Sequence, residues 1–589
     1  MRHSSAVCRH RNPQRIGMAE SSYDLVIAGS GAAGLSAAIF AQSKGLRVAI
    51  VEKTSLIGGT TSYSGGVVWI PNSRQNAATG LRDTLDEAER YLDSTVSTSH
   101  EREARREYLE RGPEAFACLE SLTGPLFYVR AINSPDYFPD AAGASQQGRA
   151  MTPLSVDGRI LGERFNDIRP PLPELCLFGR QMLELMDVYH LLNARRSAKS
   201  ALHTGRLLLR DLRDRTLYRK YGRGTRLTGG NALVANLYRA VLERGIPVFR
   251  NSPIVELIRE GERVAGVIVK RNGIREKLSS ARGVVLATGG FPWSKALREM
   301  HMDEAEFGYS ATSPDSTGDG IGLATAIGAK FDTANVEGAF WTPVSTGTRK
   351  DGSVARFPHL MADRAKPGLI AVNKSGVRFF NEAENYHDFV RAMLGRLKNE
   401  DQQPVHLLCD AAFVRKYAFG AVPPLASERR RAVRSGYLIE ASTIDELADK
   451  IGVDRDALNE TIAEFNRDAE LGVDTKFGKG NSAYNRYLGD ASNKPNPCLG
   501  PLKKAPFYAI RVHAGDIGTT YGLAADIHSR VLDEQGQPID GLYACGNDRN
   551  SVMGGFYPSG GITIGPALTF AYLAVMHAAR EDLRPVAAE

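Results

Sequence analysis

Cysteine is scarce: six residues in 589 (Cys8, Cys118, Cys176, Cys409, Cys498, Cys545), none in a Cys-x-x-Cys pair. Thiols scattered in this way exclude a disulfide framework and a clustered thiolate site, so no metal is expected and a reducing, cytoplasmic setting is the default. Also lacking is any apolar run of about 18 residues, the length a membrane-crossing helix needs. Neither sign of charge dominates, because 74 basic against 67 acidic residues leave a net +7. Over this length that is too mild to imply a nucleic-acid partner. Residues 1–21 carry Arg2, Arg9, Arg11 and Arg15 but no apolar core. They are expected to be a disordered leader rather than a secretory signal, with Met18 a candidate start.

What is abundant is glycine, 59 residues against 28 prolines, as suits many tight strand-to-helix turns. The length calls for two or three domains. Residues 23–28 read as a buried strand, followed by Gly29-Ser30-Gly31-Ala32-Ala33-Gly34, a helix over 35–43, and a strand over 47–51 that ends at Glu52. Gly29 permits the turn, Gly31 lets a pyrophosphate approach the backbone, and Gly34 lets helix and strand pack closely. The helix N-terminus offers free amides to phosphate, and Glu52 can accept from a ribose diol. A second cluster, Gly58-Gly59-Thr60-Thr61-Ser62-Tyr63-Ser64-Gly65-Gly66, can wrap a cofactor that extends past its pyrophosphate. Nicotinamide enzymes have no need of such a loop, so FAD is expected.

Farther along, residues 103–122 and 180–221 read as helical. The second stretch is basic and includes Leu207-Leu208-Leu209-Arg210-Asp211-Leu212-Arg213. It reads either as a membrane-surface helix or as a solvated insertion. Strands are expected at 247–249, 254–259 and 264–270, then at 282–290, ending in Thr288-Gly289-Gly290. A helix opens at Thr317-Gly318-Asp319-Gly320, composition turns mixed to about 500, and 542–546 returns as a strand ending at Gly546-Asn547. The fold class is α/β: a Rossmann-like FAD-binding domain (22–305 and 501–589, with a helical insertion at about 150–222) interrupted by an α+β catalytic cap (306–500). The active site then lies at their junction.

The chain closes with Tyr557-Pro558-Ser559-Gly560-Gly561 running into an apolar stretch, 562–579. Taken with GSGAAG at Gly29, GGTTSYSGG at Gly58, LATGGF at Leu286, TGDG at Thr317, RFFNEAENY at Arg378, GTTYGL at Gly518 and GLYACGN at Gly541, the pattern resembles the fumarate reductase and succinate dehydrogenase flavoproteins. Within them it is most similar to the FAD-dependent 3-ketosteroid dehydrogenases, above all the Δ1 type. The resemblance implies that Tyr386 takes the α-proton, Tyr137 assists it by lowering its pKa, and Tyr557 with the Gly561 N–H holds the keto oxygen, while hydride passes to flavin N5. It also implies cofactor contacts from Gly29, Ser30, Gly31, Ala33, Gly34, Glu52, Lys53, Gly59, Thr60, Thr61, Ser64, Gly65, Gly66, Thr288, Gly289, Asp319, Gly546, Asn547, Gly560 and Ile562. No histidine stands in the loop at Gly58 to tether the flavin, so FAD is expected to be non-covalent. Partners are a steroid or similar hydrophobic ketone, an external quinone or dye-like electron acceptor and, through the basic helix, a peripheral membrane surface.

Two departures open alternatives. Ser559 stands where Δ1 enzymes usually carry glycine, and Tyr-x-Ser-Gly resembles the Δ4-(5α) type, where the serine joins a proton relay. The continuation Ile562-Thr563-Ile564-Gly565-Pro566 resembles the Δ1 type. A fumarate-reductase-like dicarboxylate or enoate reductase needs arginine and histidine at the flavin, and Arg549 and His513 are the residues at hand.

Overall fold

The computed structural model describes residues 20–580 apart from 79, 81, 130–133, 195–196, 303–306, 350 and 398–399. The expected leader therefore lies outside the described residues up to residue 19. Glu20 and Ser21 already stand in a strand, Glu20–Tyr23, paired parallel with Ile274–Ser280.

The first large sheet is built on Leu25–Ala28. This strand pairs parallel with Val48–Val51 on one side and Val284–Leu286 on the other. Val248–Phe249 extends the sheet at one edge, Pro538–Ala544 and Arg530–Leu532 at the other. The three central strands are buried along their whole length, which is why they read as unbroken apolar runs rather than alternating ones. Helix Ala32–Ser43 packs against the terminal helix Ile564–Ala579, with the Phe40 and Tyr572 rings 5.2 Å apart. The Gly29 turn and the Thr288-Gly289-Gly290 turn both leave the carboxyl ends of adjacent parallel strands, where open α/β sheets bind ligands.

A second sheet runs Val354–Pro358, Ala339–Thr348, Phe507–Thr519, Val405–Asp410, Leu369–Val372, antiparallel throughout. Phe507–Thr519 is its central strand, so the chain rejoins the first sheet at Arg530–Leu532 rather than at residue 501. Composition does not change at 501, and no local signal says which sheet a long buried strand joins. The basic segment 180–221 is three helices, Leu185–Asn193, Ala198–Arg213 and Arg215–Tyr221, preceded by a short ladder of Cys176–Leu177 with Gln181–Met182. Ser197 caps the second helix through Ser200 N, and Gly222, at φ +73, ends the third.

Candidate active site

The glycine turn is built to close tolerance. At Gly29 (φ +102) an added Cβ would lie 2.2 Å from the Ala287 carbonyl oxygen, and at Gly34 one would lie 2.1 Å from the Gly29 oxygen. At Gly31 the nearest neighbour of such an atom is the Thr61 hydroxyl at 3.6 Å, so this face of the turn stays open. The Ala32 amide at the start of the first helix donates to Thr61 Oγ1 (3.1 Å). Glu52 is buried at the strand end and accepts from the Ser30 hydroxyl (2.6 Å) and the Thr54 amide (2.9 Å). Lys53 Nζ donates to Asp319 and to Thr317 Oγ1, both at 2.7 Å. Across the site Asp548 is fully buried and accepts from the Thr288 amide and hydroxyl and from the Gly290 amide, which fixes the second glycine turn.

One cavity of about 610 Å³ runs along these groups. Gly29, Ser30, Gly31, Ala33, Glu52 and Lys53 line it, as do Gly59, Thr60, Thr61, Ser64, Gly65 and Gly66, and then Thr288, Gly289, Asp319, Gly546 and Asn547. It continues to Tyr137, Tyr386, Tyr557, Gly560 and Gly561. Three expected site residues do not line it. Gly34 serves packing, as its crowding against Gly29 requires. Ile562 is buried and faces a separate small cleft behind the cavity wall.

Ser559 is turned the other way. It is buried beside Asp136, and its hydroxyl makes no hydrogen bond of good geometry there. Asp136 accepts from Trp69 Nε1 (2.8 Å), the Ser145 amide (3.0 Å) and Arg149 Nη1 (3.0 Å), and Arg149 also pairs with Asp83 (2.9 Å). This buried network braces the tyrosine end: Trp69 N donates to the Gly561 oxygen (3.2 Å), and the Tyr137 amide donates to the Pro558 oxygen (3.1 Å). Nothing in the sequence signalled it, because its members are far apart along the chain.

The tyrosines meet. Tyr137 Oη donates to Tyr386 Oη at 3.2 Å. The Tyr557 ring lies 5.9 Å from that of Tyr137 and 5.1 Å from that of Tyr386, and Tyr484, unforeseen, packs 4.7 Å from Tyr137. Tyr386 is the first residue of helix Tyr386–Met393, whose N-terminus is capped by the Asn385 side chain accepting from Asp388 N (2.8 Å). Burial pushes the Tyr386 phenol well above its ordinary pKa, and the nearby Tyr137 and Tyr557 push it further in the same direction. The expectation that Tyr137 lowers it is therefore corrected: a second buried phenol is another potential anion, not a counter-charge. Burial also raises the pKa of Tyr557, lowers that of His387 to about 4 and lifts that of Glu384 to about 7.

Neither residue of the dicarboxylate alternative lines the cavity. Arg549 is held by Glu101 (3.1 Å) and lies over the Phe570 ring (4.3 Å). His513 stacks on Tyr309, with centroids 3.8 Å apart.

A family model described as an FAD binding domain matches residues 24–564. The chain belongs to the FAD-binding flavoprotein family. Within this family it is 36% identical to 4-oxocyclohex-2-ene-1-carboxylate 5-dehydrogenase of Sinomonas cyclohexanicum, over 95% of this chain and 94% of that one. It is 35% identical to 3-oxosteroid 1-dehydrogenase of Mycolicibacterium smegmatis, over 95% and 97%. Among solved structures, 3-ketosteroid Δ1-dehydrogenase from Sterolibacterium denitrificans in complex with 1,4-androstadiene-3,17-dione superposes with a TM-score of 0.87 at 36% identity, covering 95% of this chain and 99% of that one. The protein is thus an FAD-binding oxidoreductase, a member of the family that contains the 3-oxosteroid 1-dehydrogenases. The donor set fits the cofactor: an open glycine turn, a helix N-terminus, a buried carboxylate and a hydroxyl-rich loop share one cavity.

Proposed function

We propose that this flavoprotein desaturates a 3-ketosteroid beside its carbonyl, as a Δ1-dehydrogenase. The observation that carries the reading is the convergence of Tyr137, Tyr386, Tyr557 and Gly561 in the same cavity as the FAD-binding turns. The Tyr557 hydroxyl and the Gly561 N–H hold the keto oxygen, where each donor aimed at a developing enolate is worth about 3 kcal/mol. Tyr386, as phenolate, takes the α-proton, and Tyr137 keeps its oxygen in place. FAD, held by the glycine turns, Glu52 and the loop at Thr60 without a covalent tether, would supply the hydride acceptor, with an external quinone or dye-like acceptor as the final oxidant.

Two choices remain within the family. The orientation of Ser559, toward Asp136 rather than the cavity, favours Δ1 over Δ4-(5α) chemistry. Steroid is favoured over an oxocyclohexene carboxylate because Leu172, Leu175, Met182, Met186, Leu360 and Met361 line the cavity beyond the cofactor motifs. Its basic side chains, Lys53 and Arg169, are already paired, with Asp319 (2.7 Å) and Asp315 (2.5 Å). The test is anaerobic mixing of the yellow protein with 4-androstene-3,17-dione, with 5α-androstane-3,17-dione and with 4-oxocyclohex-2-ene-1-carboxylate, followed near 450 nm. Bleaching by the first steroid with a 1,4-diene product is expected. Bleaching by the saturated steroid alone would move the assignment to the Δ4-(5α) type, and bleaching by the carboxylate alone would overturn the steroid reading.

A lipid surface completes the proposal. Leu202, Leu208, Leu209 and Leu212 of helix Ala198–Arg213 are exposed, as are Met186 and Tyr189 of the preceding helix. Lys199, Arg206, Arg213, Arg215, Arg219 and Lys220 are exposed around them. Met186 and the exposed Leu175 also line the cavity, so a ketone dissolved in lipid would have an apolar path inward. No described helix is long and apolar enough to cross a membrane. Such a face binds by shallow insertion plus attraction to anionic lipid. Co-sedimentation with phosphatidylglycerol vesicles is expected, with little binding to phosphatidylcholine and loss on Leu208→Glu/Leu209→Glu. Equal recovery in the supernatant with and without anionic vesicles would refute the contact.

A further inference from the structure

A phenolate base needs a positive charge close by, and neither Tyr137 nor Tyr557 provides one. Arg364 is the side chain placed to do so. It is 2% exposed, and its guanidinium donates to four backbone carbonyls: His359 (2.8 Å), Leu360 (3.1 Å), Glu382 (2.8 Å) and Glu384 (3.1 Å). It lies 5.1 Å from the Phe389 ring centroid, one turn along the helix that Tyr386 opens. Among the described residues no carboxylate comes within 4.0 Å of it. The neighbouring acids are engaged elsewhere: Asp363 with His359 (2.7 Å), and Glu382 with Arg378 (2.8 Å) and Lys479 (3.3 Å). A buried cation with no carboxylate in direct contact is costly and, for arginine, stays charged.

Resting on the dehydrogenase reading above, we propose that Arg364 is the positioning residue whose charge stabilises the phenolate of Tyr386. Its field falls on the Tyr484 and Tyr386 hydroxyls as well as on the carboxylates of Asp363 and Glu382. Among the described residues, the other groups around Tyr386 bring no free cation. Tyr137, Tyr484 and Tyr557 are phenols, and His387 accepts from Trp341 N (3.1 Å) through Nδ1 and so is neutral. Asp388 pairs with Arg391 (3.0 Å), and Glu384 accepts from Asn485 (3.0 Å) and Asn381 (3.2 Å). Asp136, behind Tyr137, is held by Arg149. Deprotonation and proton uptake at Tyr386 Oη therefore occur opposite a fixed positive charge, which in a low-dielectric interior favours the anion.

The sign of the pH effect follows. The base works deprotonated, so the single-turnover rate of flavin bleaching rises with pH and levels off above the pKa of Tyr386. With Arg364 in place the midpoint is expected lower than burial among the other tyrosines would otherwise set it. Arg364→Gln should move it up by at least about one unit, a tenfold or greater loss at pH 7 that narrows as pH rises, whereas Arg364→Lys should keep most of the wild-type profile. A purely structural role would lower the rate by one factor at every pH, with lower FAD content or melting temperature. An unmoved midpoint in Arg364→Gln overturns the proposal. If neither variant folds, Arg364→Met is measured in their place, and an unmoved midpoint there does so. Absence of bleaching by any ketone at any pH instead removes the dehydrogenase reading, and this inference with it.

Discussion

Tyr386→Phe is expected to slow flavin bleaching by the steroid about 10³-fold while leaving FAD content unchanged. The substitution removes one oxygen. A positioned acid–base group contributes typically 10²–10⁴-fold, and no other residue of the cluster stands where Tyr386 does, bonded to Tyr137 Oη and against the Tyr557 ring. The fold should barely notice, because this hydroxyl accepts from the Tyr137 Oη at 3.2 Å, a bond worth on the order of 1 kcal/mol. The Phe ring keeps the packing contacts. Stopped-flow absorbance near 450 nm with a thermal melt on the same sample separates the two effects. A rate within tenfold of wild type would remove Tyr386 from the role of base and, with it, the reason for a cation at Arg364.

Gly561→Ala carries the other large effect, for a different reason. Gly561 sits at φ +104, and a Cβ there would lie 2.5 Å from the Val68 carbonyl carbon and 2.6 Å from the Trp69 nitrogen. Both are backbone atoms of a strand, held in turn by Trp69 N donating to the Gly561 oxygen (3.2 Å). The peptide must move, and its N–H then no longer points at the keto oxygen. Losing one such donor costs about 10²–10³-fold in rate, and the strained backbone should add a loss of stability of about 1–3 kcal/mol. Tyr557→Phe is the control, since it removes the partner donor without strain and should match the rate loss with a near-normal melting temperature. If Gly561→Ala bleaches normally while Tyr557→Phe does not, the amide is not a donor to the substrate.

The cofactor half of the site was legible because its chemistry is local. Gly29, Gly31, Gly34 and Glu52 follow one another through a strand, a turn, a helix and a strand; Gly29 answers a contact with the adjoining strand, Gly34 one within the unit, and Gly31 leaves the turn open. The tyrosines were legible only through resemblance to a family, since single tyrosines separated by hundreds of residues carry no period or spacing. Ser559 shows the limit: its neighbours in sequence are site residues, yet the chain bends at Ser559 and the hydroxyl ends beside Asp136. The pKa of Tyr386 was misjudged for a related reason. Proximity of Tyr137 was inferred correctly, but the sign of its effect depends on burial and on where charges lie.

The sequence by itself determined the parallel sheet, the glycine turns that cradle a dinucleotide and the residue types available for enolate chemistry, because these depend on short-range backbone geometry and apolar runs. Tertiary structure alone decided that Phe507–Thr519 is the centre of the second sheet and that Arg549 is spent on Glu101 rather than on a substrate. It also decided that the buried Arg364 stands at the start of the Tyr386 helix with no carboxylate of the described residues within 4.0 Å. Strand partners, burial and counter-charges are set by which distant segments pack together, and local sequence does not encode that.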